Sequence, residues 1–149
     1  MLTFLTGLYL LMVLGSGANQ YILIGALMGI FMFLNVWLII WPAQKIVTGL
    51  SEGDAGKAAP KALLASRTNT LFSGPMLFGM LASKHGGYSG GGFQSASFSD
   101  MGFVVPLVVI LALQANAMFG KTGPMTSVKG VIHMGLLLTL VLYLGIELL

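Results

Sequence analysis

The stretch Tyr21–Trp41, YILIGALMGIFMFLNVWLIIW, decides the fold class of this chain. It contains 21 consecutive uncharged residues, and an α-helix of that length covers about 30 Å, the thickness of the hydrocarbon core of a bilayer. Trp37 and Trp41 close the stretch, at the depth where indole rings favour the headgroup region. Pro42 and Lys45 follow. The pattern therefore predicts a membrane-spanning helix that ends or bends at Pro42 and reaches water near Lys45.

The composition of the whole chain also indicates a bilayer as its solvent. Of the 149 residues, 56% are hydrophobic and only 7% are charged, whereas a soluble domain carries about a quarter of its residues as charges. So few charges cannot cover a water-facing surface, which excludes a free-standing soluble enzyme. The absence of cysteine excludes disulfides, thiolate metal sites and covalently attached haem. The net charge of +3 comes without a basic run, so no nucleic-acid partner is expected.

Hydropathy predicts an all-α integral membrane bundle of about five spans. Besides the segment 21–41, apolar segments lie at 2–15, 64–83, 103–119 and 131–149. The first is shorter than a comfortable span, so the bundle has four spans if that segment does not cross. The string GGYSGGG at 86–92 indicates a loop. Because five helices use about 100 residues, the chain is predicted to form a single transmembrane domain over 1–149.

The distribution of basic residues predicts which way the bundle faces. With the N-terminus in the cytoplasm and five spans, the side opposite the cytoplasm holds only Lys84. The cytoplasmic side then holds Lys45, Lys57, Lys61, Arg67, Lys121 and Lys129. Such an excess on one side is typical of the cytoplasmic face of a membrane protein.

A few polar groups lie within or beside the predicted spans, and each is expected to have a partner. They are the amides Asn35, Gln44, Asn69, Gln114 and Asn116. An unpaired amide in hydrocarbon is costly, so we expect each to hydrogen-bond another helix, at about 0.5 to 2 kcal/mol per bond. Glu147 is expected to reach the headgroups. Gly25 and Gly29 have the small-xxx-small spacing that lets helices approach closely, within the chain or between subunits.

Two histidines are the candidate cofactor ligands. His133 lies near the start of the last span, where its imidazole could ligate haem iron or, as the more ordinary alternative, hydrogen-bond a neighbouring helix. His85 ends the third predicted span at the opposite membrane face, so the two are not expected to share a metal ion or one haem. No spacing of Ser, His and Asp indicates a catalytic triad. We therefore predict no catalytic residue and no metal site.

Two segments resemble a known family when they are taken together. The first is GALMGIFMFLNVWLIIWPAQK at 25–45, a glycine-spaced helix that ends in Asn-Val-aromatic and Pro-x-Gln-basic. The second is RTNTLFSGPMLFGMLASKH at 67–85, with an Asn, a Pro-x-Leu-Phe centre and a terminal His. They resemble the later helices of the urate oxidase N-terminal membrane domain of bacterial membrane-bound urate hydroxylases, over about residues 20–86. The positions that match the family pattern are Asn35, Pro42, Gln44, Asn69, Pro75 and His85.

The resemblance implies a multi-span protein of the bacterial inner membrane, associated with electron transfer during purine oxidation. Members of that family are often fused to a cytochrome c domain, and no such domain is found here. Where the family pattern has a His early in the equivalent of the second span and late in the fourth, this chain has apolar residues near Leu23 and Ala117. The resemblance therefore carries over no haem ligand at those two places.

Two functions follow from these observations. The first is a small accessory subunit without catalytic residues, which contacts lipid and the other subunits of a larger membrane redox or respiratory complex. The alternative is a haem b electron carrier that uses His133 or His85, together with a second polypeptide. A transporter is the least supported, because no intramembrane charge marks a substrate path.

Overall fold

The computed structural model describes residues 2–85 and 99–148, and the regular structure in these two ranges is entirely helical. A π-helical turn, Asn35–Ile40, joins the second helix to the third, so that Gln20–Val47 is one continuous rod of 28 residues. The predicted all-α class is confirmed, and the loop predicted at 86–92 lies outside the described residues. The α-helices are α1 (Leu2–Leu14), α2 (Gln20–Leu34), α3 (Trp41–Val47), α4 (Ala55–His85), α5 (Met101–Phe119) and α6 (Val128–Leu148).

Three of the predicted spans are helices that are long and apolar enough to cross a bilayer: Gln20–Val47, Met101–Phe119 and Val128–Leu148. Helix α1 has 13 residues, about 20 Å of helix, which is shorter than a full span. Helix α4 has 31 residues, but no part of it reaches the hydropathy of a lipid-facing span. That α1 and α4 cross the membrane therefore stays a prediction.

The polar helix α4 lies at the centre of the bundle. It packs against α2, α3, α5 and α6. About a third of its residues are buried, and they are spread along the whole helix from Ala58 to Ser83. The sides of α4 that face these helices are covered, so hydropathy toward lipid is not what holds them in place. The low hydropathy of α4 is thus consistent with its position.

Helix α4 begins at Ala55, nine residues before the predicted apolar segment 64–83. The carboxylate of Asp54 caps it: Asp54 Oδ1 accepts a hydrogen bond of 2.9 Å from the Gly56 backbone N–H. A capping carboxylate satisfies one of the free N–H groups of a first turn, so the helix extends back to this residue. The connection between α3 and α4 is therefore limited to residues 48–54.

Pro42 does not end the rod formed by α2 and α3. In a regular α-helix its ring would press against the carbonyl group of Leu38. The π-helical turn lies directly before the proline, and the Trp41 backbone N–H donates to the Val36 carbonyl oxygen, five residues back. A wider turn at this point provides room for the ring, so the helix continues and the apolar segment is longer than the predicted 21–41.

The hydrophobic core lies where α2, α4, α5 and α6 meet. Phe72 of α4 is fully buried there, together with Met28 of α2, Ile110 of α5 and Val131 of α6. Lipid tails are as apolar as these side chains, so their contribution comes from close packing more than from removal from water. Helix α1 stands apart: it has no buried residue, and its Phe4 ring stacks on Phe33 with centroids 3.9 Å apart.

Helices α2 and α4 cross closely at two glycines. A Cβ on Gly79 would lie 2.8 Å from the Tyr21 carbonyl oxygen and 3.3 Å from the Cα of Gly25. A Cβ on Gly25 would lie 3.2 Å from the Met76 carbonyl oxygen. Gly25 of the small-xxx-small pattern therefore faces another helix of its own chain, and its partner Gly79 is not evident from spacing alone.

Replacing Gly79 by alanine tests this crossing. The added methyl meets backbone atoms that cannot move aside independently, so we expect Gly79→Ala to lower the free energy of unfolding by about 1 to 3 kcal/mol. Gly74→Ala is the matched control, because a Cβ on Gly74 of the same helix has nothing within 4 Å. Unfolding in detergent micelles, followed by circular dichroism, measures both. Equal stability of the two variants would contradict the close crossing.

Candidate functional site

Three amide side chains meet inside the bundle, and we call them the amide cluster: Asn35, Asn69 and Gln114. They come from the π-helical turn, α4 and α5 respectively. Asn35 Nδ2 donates to Asn69 Oδ1 at 2.9 Å and to Gln114 Oε1 at 3.1 Å, and Gln114 Nε2 donates back to Asn35 Oδ1 at 2.7 Å. Asn35 is 1% exposed and Gln114 is 8% exposed. The cluster therefore joins three helices by side-chain hydrogen bonds within a low-dielectric interior, where such bonds are strong.

Asn69 of the amide cluster also bonds to the backbone of α2, directly before the π-helical turn. Asn69 Nδ2 donates to the Met32 carbonyl oxygen at 3.0 Å. The backbone N–H of Asn35 is directed at the carbonyl oxygens of Met32 and Phe31. Departures from regular α-helical bonding leave carbonyl groups with spare capacity, and a side chain from a neighbouring helix can use it. The irregular turn is thus supported by Asn69 of α4.

Arg67 lies two residues before Asn69, within α4 and inside the predicted segment 64–83. Its Nε atom is buried and has no hydrogen-bond partner among the described residues. Arg67 as a whole is half-buried, so it is one N–H of the guanidinium group, and not its whole charge, that lacks a partner. In the sequence, Arg67 served only as an indicator of membrane orientation.

The two histidines lie outside the bundle interior and far apart. His133 is exposed on α6, and its Nδ1 lies 2.7 Å from the Lys129 carbonyl oxygen. His85 is the exposed last residue of α4. Helices α4 and α6 run parallel, since Gly135 lies beside Leu71 and the rings of Phe78 and Tyr143 are in contact. His133 is therefore level with residue 69, about 24 Å along α4 from His85.

That separation decides how the chain could hold a haem or a metal ion. One iron cannot be ligated by two side chains so far apart, so His85 and His133 of one chain do not fit a haem with two histidine ligands. Among residues 2–85 and 99–148, no three His, Asp or Glu side chains converge on a metal position. Within one chain, neither histidine can serve as the second axial ligand of the other.

A second set of hydrogen bonds joins the start of α2 to three helices, and we call this region the Asn19 end of the bundle. Asn19 Nδ2 donates to the Ser83 carbonyl oxygen at 2.9 Å, Gln20 Nε2 donates to an Asp100 carboxylate oxygen, and the Tyr21 hydroxyl donates to Glu147. Glu147 therefore bonds to α2 instead of reaching only the headgroups. These pairs are not predicted from the sequence, although the three successive polar side chains at 19–21, where the apolar segment begins, indicate that partners are needed there.

The remaining predicted residues have less central positions. Gln44 is exposed on α3. Asn116 Nδ2 donates to the Lys121 carbonyl oxygen at 3.3 Å, in the turn after its own helix and not in another helix. A Cβ on Gly29 would only touch the Met76 sulfur, at 3.4 Å. Of the five amides selected from the sequence, the structure brings together Asn35, Asn69 and Gln114.

A double-mutant cycle on the amide cluster tests its role. Asn35→Ala leaves the Gln114 amide and the Asn69 side-chain oxygen without their partner, while Asn69 keeps its bond to Met32, so we expect a loss of about 1 to 3 kcal/mol in the free energy of unfolding. Because Asn35 and Gln114 bond to each other, adding Gln114→Ala should cost less than the single changes predict, with a coupling of about 1 kcal/mol. Gln44→Ala, at an exposed amide, is the control. Strict additivity would contradict the cluster.

The sequence was compared with models of known protein families. The family model described as urate oxidase N-terminal matches residues 1–113 of the 149. The match is wider than the predicted resemblance over about 20–86, and it covers α1 to α4 and most of α5. Comparisons with curated proteins and with solved structures found no match. Since the family model covers well over half of the sequence, the chain belongs to the urate oxidase N-terminal family.

Proposed function

We propose that the chain is a structural subunit of a larger redox or respiratory complex in the bacterial inner membrane. The observation that carries this proposal is α1, which buries no residue within its own chain. Its Leu5, Tyr9, Leu10 and Met12 are all more than half exposed. A helix with so little packing inside its chain gains more from contact with a neighbouring subunit than from its own bundle. Membership of the urate oxidase N-terminal family supports a redox setting.

The polar interior supports the same proposal. The amide cluster and the side chains of the Asn19 end form hydrogen bonds between helices of this bundle. Side chains that hydrogen-bond each other hold their helices in register. To contact a substrate, each of them would first have to break its bond within the bundle. A structural role requires no change in these hydrogen bonds.

Gentle solubilisation tests the assembly. We expect the chain to migrate with a larger membrane complex after extraction from its native membranes in a mild detergent, as measured by size-exclusion chromatography and mass spectrometry. The same chain expressed alone in a host without its partners is the control and should migrate as the bare bundle in its micelle. Migration as a lone monomer from native membranes would contradict the proposal.

The alternative is a haem b carrier that shares its haem with a second polypeptide. A bond from His133 to a carbonyl oxygen requires the proton on Nδ1, which leaves Nε2 free as a ligand on the outer surface of α6. The absorption spectrum of the sized complex separates the two functions. The structural role predicts that any Soret band survives His133→Ala. A band lost with His133→Ala but kept with His85→Ala would favour the carrier.

The proposed orientation places the N-terminus and most basic residues in the cytoplasm. Residues Lys45, Lys57, Lys61, Lys121 and Lys129 lie at the end of the bundle opposite Asn19, which we call the Lys45 end. An excess of basic residues favours the cytoplasmic side. The stacking of Phe4 on Phe33 directs the start of α1 toward the same end.

Single cysteines test the orientation, since the natural chain has none to interfere. We expect Lys84→Cys to react with a membrane-impermeant maleimide on intact spheroplasts, whereas Lys121→Cys should react only after the membrane is opened. Both positions are exposed, so burial does not confound the comparison. Gel-shift of the labelled chain provides the measurement, and the reversed pattern would contradict the orientation.

A further inference from the structure

A cleft at the Lys45 end has two contrasting sides. It has a volume of about 330 Å³ and lies between the first two turns of α4 and the rod that runs through the π-helical turn into α3. Its wall includes the apolar side chains of Leu38, Pro42 and Ile46. Lys57 and Lys61 of α4 line the other side together with Asp54, so that this side carries two positive charges and one negative charge. A ligand that fits both sides needs an apolar portion and an anionic portion.

The position of the cleft indicates that this ligand comes from the membrane. Trp37 and Trp41 lie on the same rod as the apolar wall, and they are 47% and 55% exposed. Exposed tryptophans favour the boundary between hydrocarbon and headgroups. The cleft therefore lies at headgroup depth, where its apolar wall meets acyl chains and its lysines meet phosphates.

The two lysines of the cleft differ in how free they are to bind an anion. Lys57 Nζ lies 3.7 Å from Asp54 Oδ2, and the two side chains are 89% and 59% exposed. Exposed pairs of this kind are weak and open readily to a competing anion. Lys61 lies one turn further along α4, on the same side as Lys57, and has no ion-pair partner among the described residues. Lys61 is thus the stronger anchor for a phosphate.

We propose that this cleft binds an anionic phospholipid. Its phosphate lies between Lys61 and Lys57, and an acyl chain lies along Leu38 and Pro42. Basic pockets between membrane helices on the cytoplasmic side are suited to anionic headgroups. The apolar wall favours a lipid over free phosphate, because only a lipid covers both sides of the cleft. The inference goes beyond the proposed function and holds whether or not the chain has a protein partner.

Lipid titration of the purified chain tests the proposal. In zwitterionic nanodiscs of phosphatidylcholine, added phosphatidylglycerol with the same acyl chains should bind to the wild type, as measured by native mass spectrometry. Because one basic residue near a membrane surface changes lipid affinity about fivefold, Lys61→Gln should weaken binding by about that factor. Lys84→Gln, at the opposite end of α4, is the matched control and should leave the affinity unchanged.

A second variant moves the affinity in the other direction. Asp54→Asn keeps the side-chain oxygen that caps α4 but removes the charge that competes for Lys57. We expect it to bind phosphatidylglycerol more tightly, by up to about fivefold. Equal affinities for the wild type and both charge variants would overturn the proposal. If free glycerol phosphate binds as tightly as phosphatidylglycerol, the lipid assignment is overturned and the cleft is a site for soluble phosphate.

Discussion

Hydrogen bonds among amides in an apolar interior constrain how this bundle can be arranged. An amide left unpaired in hydrocarbon costs several kcal/mol, so a helix that carries one must place it beside a partner. Asn35, Asn69 and Gln114 satisfy one another at a single level of the bundle. Sliding α2, α4 or α5 by one turn would separate these groups. The cluster therefore sets the relative depth of three helices, which apolar packing alone leaves free to slide.

The two ends of the bundle differ in a way that bears on function. At the Asn19 end, side chains from the start of α2 bond to α4, α5 and α6, so four helices are held together. At the Lys45 end, Lys57, Lys61, Lys121 and Lys129 are exposed and Lys45 is half-buried, and a cleft opens beside the contact between α3 and α4. One end is thus closed by its own hydrogen bonds, and the other presents charge and an apolar wall to its surroundings.

The outer surface supports a role in assembly more than one in catalysis. His133 and His85 both lie on that surface and at different depths, where each can meet a neighbouring molecule but not the other histidine. Helix α1 adds an apolar surface that its own chain does not cover. The chain belongs to the urate oxidase N-terminal family, and in the proposed redox complex the bundle would contribute framework instead of catalytic groups.

The sequence by itself determined the solvent and the helical class, because apolar runs such as 21–41 and 103–119 are stable only as helices in a bilayer. It also marked Asn35, Asn69 and Gln114 as residues that need partners. Only the tertiary structure decided that these three are each other's partners, that Gly79 faces Gly25, and that Glu147 turns to Tyr21. Hydropathy measures how well a single helix is suited to lipid. Which side chains become partners depends on which faces of that helix the other helices cover. For that reason the polar α4, which has the lowest hydropathy, proved to be the central helix.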